Sequence, residues 1–223
     1  MEDRMRAWSF PGSYEDGRGR VAIKWRIEPF AVAGWAGGYE ISTVVRGIPL
    51  SGGDLDCIEP DPPDPRARTV LSLDDRFDAL TQCRLTGELP CTVAVSGVRR
   101  AEVVRFTLDL TPDAQRDTLR LSLALNGATY ETDCHAFETG LRELITALPE
   151  GTSLVCCYTC LYADYPPVSG PIMGMRCYRE AKEQYLAVRA EPDIWNVPAT
   201  ETVPETYLCS QYRVRIPGTG YRG

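Results

Sequence analysis

The sequence predicts an α+β protein: an antiparallel, β-rich, sandwich-like body with one amphipathic helix, followed by a C-terminal cysteine-rich module. Three observations lead there. Residues 18–30 and 39–47 (YEISTVVRG) alternate apolar and polar side chains and are rich in β-branched residues, the period of a half-buried strand. Residues 134–148 (CHAFETGLRELITAL) instead place Phe137, Leu141, Leu144 and Leu148 at spacings of three and four, one stripe of an α-helix. Five of the nine cysteines fall after residue 150, in a stretch rich in proline and poor in periodic apolar residues.

Taken in order, the first two strands are separated by a connection at Gly37 and Gly38. Residues 51–68 hold four prolines and five acids. Proline denies a ladder its donors, so this segment reads as an irregular acidic loop exposed to solvent. ARTVLSL (67–73) reads as a strand and DDRFDALTQC (74–83) stays undecided. LPCTVAVSGV (89–98) and AEVVRFTLDL (101–110) read as strands. In 117–133, leucines at 119, 121, 123 and 125 run into Asn126-Gly127, the dipeptide that accepts positive φ at both positions of a tight hairpin turn. Asp133 is placed to cap the helix and Pro149 stops it. TSLVCC (152–157) reads as a strand, and YREAKEQYLA (178–187) as a short helix. Two unequal parts are expected: a body over 1–150, and a module over 151–223 packed on it.

Composition narrows the function classes. Of 223 residues, 43% are hydrophobic and 25% charged, ordinary for a globular chain with its own core. No apolar run approaches the roughly 20 residues that cross a bilayer. MEDRMRAWSFPG holds no apolar signal segment, so a cytoplasmic location is expected. Residues 1–150 carry 17 basic against 24 acidic side chains, and residues 151–223 carry 7 against 7. Neither part is a basic field, which argues against phosphate-driven nucleic-acid binding. Arg213, Arg215 and Arg222 read as charges on a solvated tail.

The cysteines stand at 57, 83, 91, 134, 156, 157, 160, 177 and 209. An odd count without a secretion signal disfavours a disulfide framework. Cys157, Cys160, Cys177 and Cys209 form C-x2-C-x16-C-x31-C, four thiolates able to close a tetrahedral zinc shell in a chain whose one histidine is His135. An iron–sulfur cluster is the alternative cofactor, and a redox dithiol or plain buried thiols also fit the spacing. In an extended approach Cys156 and Cys157 point to opposite sides; Cys157 is the expected ligand and Cys156 a buried apolar residue. A structural zinc contributes about 10–16 kcal/mol in small peptide sites, enough to order a segment with little core. The module is therefore read as zinc-knuckle-like.

The runs CCYTCLYADYPP, MRCYREAKEQYLAV and PGTGYRG resemble an uncharacterised, chiefly actinobacterial family of conserved hypothetical proteins. The resemblance covers residues from about 150 to the end, and the N-terminal part loosely. It implies a recurrent module and brings no activity with it.

Other constellations favour bland readings. Cys134 and His135 are neighbours on one helical turn and do not face each other, so a buried thiol beside a surface histidine is expected rather than a nucleophile. The acids 54, 56, 59, 61 and 64 lack the glycine and terminal glutamate of a calcium loop. Asp164 and Tyr165 could orient the cysteine turn or simply build it. No phosphate-binding or serine-hydrolase motif occurs. Three functions remain: a zinc-stabilised accessory protein with a protein or small-molecule partner; an iron–sulfur or thiol-redox protein; and a small-molecule-binding sandwich with a pocket lined by Trp25 and Trp35. An all-thiolate zinc leaves no open coordination position, so no catalytic residue is assigned.

Overall fold

The computed structural model describes residues 4–30, 37–112, 116–165 and 172–219. Its main element is one antiparallel sheet built from two meanders. The first runs outward through β1 (Trp8–Asp16), β2 (Gly19–Phe30), β3 (Gly38–Val45), β4 (Ile48–Gly52) and the two-residue β5 (Glu59–Pro60). The chain then returns through a short helix, α1 (Ala67–Val70), and lays β6 (Cys83–Val95) on the other side of β1. From there β7 (Val98–Leu110), β8 (Thr118–Leu125) and β9 (Ala128–Cys134) extend the sheet the opposite way. After α2 (Phe137–Ala147), β10 (Thr152–Leu154) joins the second half of β6. The expected sandwich thus takes the form of one large sheet, with a second sheet of only three short strands: β11 (Ala163–Asp164), β12 (Met175–Cys177) and β13 (Glu201–Val203).

Turn chemistry fixes the register. Arg46-Gly47, Ser96-Gly97 and Asn126-Gly127 all take positive φ, and each closes a two-residue hairpin. The expected break near 99–100 therefore lies three residues earlier, at Ser96-Gly97. The polar face of the sheet carries charge pairs directly opposite one another: Arg84 with Asp109, Arg105 with Glu88, and Arg120 with Asp133. Exposed pairs of this kind contribute about 0–1 kcal/mol each. These six charges are spent on the sheet surface rather than on a site.

The other face is the core. Ile27, Ile41, Leu50, Leu85, Leu108, Leu121 and Leu123 line it, and Phe106 meets Phe10, Trp25 and Phe137 at ring-centroid distances of 6.4, 6.5 and 6.0 Å. Phe137, Leu141 and Leu144 of α2 cover the β8–β9 end. Gly12 faces Gly87 across the β1–β6 pair, and the Trp25 indole lies over Gly12 with Nε1 donating to the Thr86 carbonyl at 2.8 Å. A Cβ on Gly12 would come within 2.1 Å of that carbonyl oxygen and 2.4 Å of the indole nitrogen. Trp25 is thus a fully buried core filler; Trp35 lies outside the described residues.

Three local expectations are corrected. The strand expected over 67–73 is α1 followed by an extended stretch, because Asp64 gathers the chain beforehand: its carboxylate accepts the Arg66 N–H at 2.8 Å and its carbonyl the Ala67 N–H at 2.9 Å. Asp133 does not cap α2. It belongs to β9 and pairs with Arg120, while Ala136 is the N-cap and makes no side-chain cap bond. The helix expected over 178–187 is reduced to α3 (Lys182–Ala187), followed by α4 (Glu191–Ile194). No described helix is long and apolar enough to cross a membrane.

Candidate functional site

The last quarter of the chain is where polar chemistry goes underground. Among the described residues, the buried side-chain nitrogen and oxygen atoms without a hydrogen-bond partner are Tyr178 Oη, Arg179 Nη2, Glu205 Oε2, Thr206 Oγ1 and Arg215 Nε. All lie between 178 and 215. Folded proteins leave few such atoms, and these gather in one region.

The cysteine turn is built from the main sheet outward. Leu154 ends β10, the Val155 N–H donates to the Thr92 carbonyl, and a 3-10 turn follows over Cys157–Thr159. Cys156 caps that turn: its sulfur accepts the Thr159 N–H while Thr159 Oγ1 accepts the Cys156 N–H at 3.4 Å. The Cys157 N–H donates to the Tyr207 carbonyl, the Tyr158 N–H to that of Glu205, and the Leu161 N–H to that of Arg213. The tail is stitched to the turn through its backbone and Arg215, while Arg213, Val214 and Ile216 stay exposed. Arg215 donates from Nη2 to the carbonyls of Cys160 and Ala163, and from Nη1 to the Tyr185 hydroxyl at 3.3 Å. Arg222 lies outside the described residues.

The four cysteines singled out by spacing come from three separate segments. Cys157 opens the 3-10 turn and Cys160 caps its end, Cys177 ends β12, and Cys209 follows the turn closed by the Tyr207 N–H on the Pro204 carbonyl. The first three are buried and Cys209 is half-buried. Burial raises the Cys157 thiol well above its ordinary range, and the neighbouring sulfurs of Cys177, Cys160, Cys156 and Cys209 raise it further. All three partners proposed for Cys157 are therefore in its electrostatic surroundings. Cys156 also neighbours Cys91, Glu205 and Tyr212. Among the described residues no group of three or more His, Cys, Asp or Glu side chains is arranged to hold a metal ion.

Hydrogen bonds to sulfur surround the cluster. The Tyr162 N–H approaches Cys160 Sγ at 3.5 Å, and Arg179 Nη1 donates to Cys177 Sγ at 3.2 Å. The same Nη1 pairs with Glu201 at 2.6 Å, both side chains being almost wholly buried. Glu201 in turn accepts the Met5 N–H at 3.1 and 3.3 Å. Burial pushes the Cys177 thiol up to about 11, with Arg179 acting in the opposite direction. Burial likewise lifts Cys91 and Cys83 to about 12 and Cys134 to about 11. Thiols held there are protonated near neutral pH and are poor nucleophiles. Cys134 donates to the Leu119 carbonyl at 3.2 Å, and exposed His135 sits near the Asp117 carbonyl.

Sequence reasoning missed a second buried cluster beside the first. Three successive backbone N–H groups are held by two carboxylates: Ile172 and Met173 by Asp54 at 2.6 and 3.2 Å, Gly174 by Glu205 at 2.8 Å. Tyr165 donates its hydroxyl to Glu205 at 3.0 Å, Tyr185 to Asp164 at 2.8 Å, and Tyr39 to the Met173 carbonyl at 2.7 Å. Burial lifts both Glu205 and Asp54 to about 7 against those bonds. Asp54, read as part of a solvated loop, thus ties residues 53–58 to the C-terminal region. Nothing in the local sequence around Asp54 or Glu205 distinguishes either acid from a surface one.

Fold and site together define an α+β protein, built on one large antiparallel sheet, whose C-terminal region encloses a buried thiol and carboxylate cluster. A family model described as a family of unknown function (DUF6304) matches residues 8–163, and the chain belongs to that family. The match covers the large sheet and the cysteine turn and ends at the first residue of β11, whereas the resemblance read from the sequence was centred on residues beyond 150. No curated protein and no solved structure matches the chain.

Proposed function

We propose that the protein is a non-catalytic accessory protein whose C-terminal region is ordered by a structural zinc on Cys157, Cys160, Cys177 and Cys209. One observation carries this reading: a buried thiol, Cys157, has sulfurs from three chain segments as its neighbours in a region with little regular strand pairing. Arg179 supports it, because a guanidinium at Cys177 Sγ favours the thiolate a metal requires. N–H groups aimed at Cys160 and Cys177 are the kind of outer support that thiolate ligands use. Loading the metal requires the four sulfurs to close in from their present positions.

Cobalt(II) titration tests the reading. Binding at one equivalent with intense thiolate-to-cobalt absorption, lost in Cys157→Ser, supports it. A cobalt spectrum without thiolate bands sinks it.

A further inference from the structure

The main sheet changes partners in the middle of β6. Residues Arg84–Gly87 pair with β1, residues Val93–Val95 pair with β10, and the stretch between has no ladder neighbour on that side. Pro90 sits in this gap, where a residue without an N–H leaves no donor stranded. The N-terminal segment passes over the gap, anchored by the Met5 N–H on Glu201, and leaves a cleft of about 500 Å³. Its walls are largely apolar, from Trp8, Cys91, Ala101 and Leu208.

Two features give the cleft a chemical preference. Arg4 and Arg6 line it, are exposed, and form no ion pair among the described residues, in a chain of net charge −7. Thr206 also lines it, is 3% exposed, and its hydroxyl has no partner. Three described acids come near without lining the cleft: Glu201 is held by Arg179 and Met5, Glu102 stands opposite Cys91, and Glu205, the chain neighbour of Thr206, accepts from Tyr165 and the Gly174 N–H.

We infer that this cleft binds a small amphiphilic anion, with its apolar body against Trp8 and Leu208 and its anionic group between Arg4, Arg6 and the Thr206 hydroxyl. The cleft includes none of the four proposed zinc ligands, although its wall at Tyr207 and Leu208 adjoins Cys209. An apolar wall with a few convergent polar groups is the usual make-up of a small-molecule site.

Anilinonaphthalene sulfonate fluorescence tests it on the full chain, with octanoate and octyl glucoside as competitors. The wild type is expected to bind one equivalent of the dye, displaced by octanoate and not by the neutral glucoside. Double reversal Arg4→Glu/Arg6→Glu, at exposed positions, is expected to weaken dye binding about ten-fold or more. Ala101→Trp, also exposed, is expected to fill the cleft and abolish binding. Unchanged binding in either variant, or equal displacement by the glucoside, overturns the inference.

Discussion

Arg179 and Cys177 are joined by a buried hydrogen bond, Nη1 to Sγ at 3.2 Å, and the same guanidinium holds Glu201 at 2.6 Å. A cation, a sulfur and a carboxylate thus share one dry site at the end of β12. Through Met5, this site also fixes the N-terminal segment. The pair links the two regions of interest: the thiol cluster on one side and the β6 cleft on the other.

Breaking that pair on one side is expected to be worse than removing it. Arg179→Leu leaves Glu201 charged and buried, and should cost roughly 3–5 kcal/mol in urea denaturation. The double variant Arg179→Leu/Glu201→Leu should cost clearly less than the single one. Additive losses would show that the two side chains do not act as a pair.

Gly12 separates close approach from mere flexibility. Gly12→Ala drives a Cβ into backbone at Thr86 and into the Trp25 ring, and should cost about 1–3 kcal/mol or more. Gly17 has open space around its Cβ position, and Gly17→Ala should stay within about 0.5 kcal/mol of wild type. Equal midpoints for the two would contradict the packing described here.

The carboxylates at Asp54 and Glu205 make stability fall as pH rises. Their pKa values are raised from 3.8 and 4.5 to about 7, chiefly by burial, so the folded state holds protons that the unfolded chain has released. Their favourable contribution is present below about pH 4, is lost between about 4 and 7, and does not return at higher pH. Glu205→Gln keeps an acceptor for Gly174 and Tyr165 and places its amide where Oε2 has no partner. It should raise stability at pH 8 by roughly 1–3 kcal/mol and flatten the profile between pH 5 and 8. A variant less stable than wild type at pH 8 would show that the charge is not a cost.

Thiol labelling should resolve the cysteines by position. Seven are buried and should label only on unfolding, while Cys209 is half-buried and Cys57 exposed. Cys57 should react slowly for an exposed thiol, because desolvation of its sulfur and then Asp56 push it up to about 12. Added zinc should protect Cys209 and leave Cys57 unaffected. Mass spectrometry of the labelled peptides reads both.

What could be read from sequence follows the strength of local chemistry. Asn126-Gly127 and the leucines before it gave β8, the turn and β9, because turn type and period agree there. The Phe137–Leu144 stripe gave α2 for the same reason. β1 was missed, since WSFPGSYED breaks alternation at Pro11 and Gly12, and Gly12 is small only because Trp25 arrives from another strand. ARTVLSL has strand composition, yet Asp64 starts a helical turn at its head. The cysteine spacing carried no information on how closely the four sulfurs approach one another, which tertiary packing decides. Arg179, Glu201, Glu205 and Thr206 stayed invisible, because a buried polar residue looks like a surface one until its tertiary partners are known.

The most direct measurement is elemental analysis of untagged protein purified without chelators, alongside Cys157→Ser and Cys177→Ser. The expected result is one zinc per chain, lost in both variants together with protease resistance of the region after residue 160. Protein that is folded and protease-resistant throughout with no bound metal would contradict the zinc reading, and iron with sulfide would replace it with the cluster alternative.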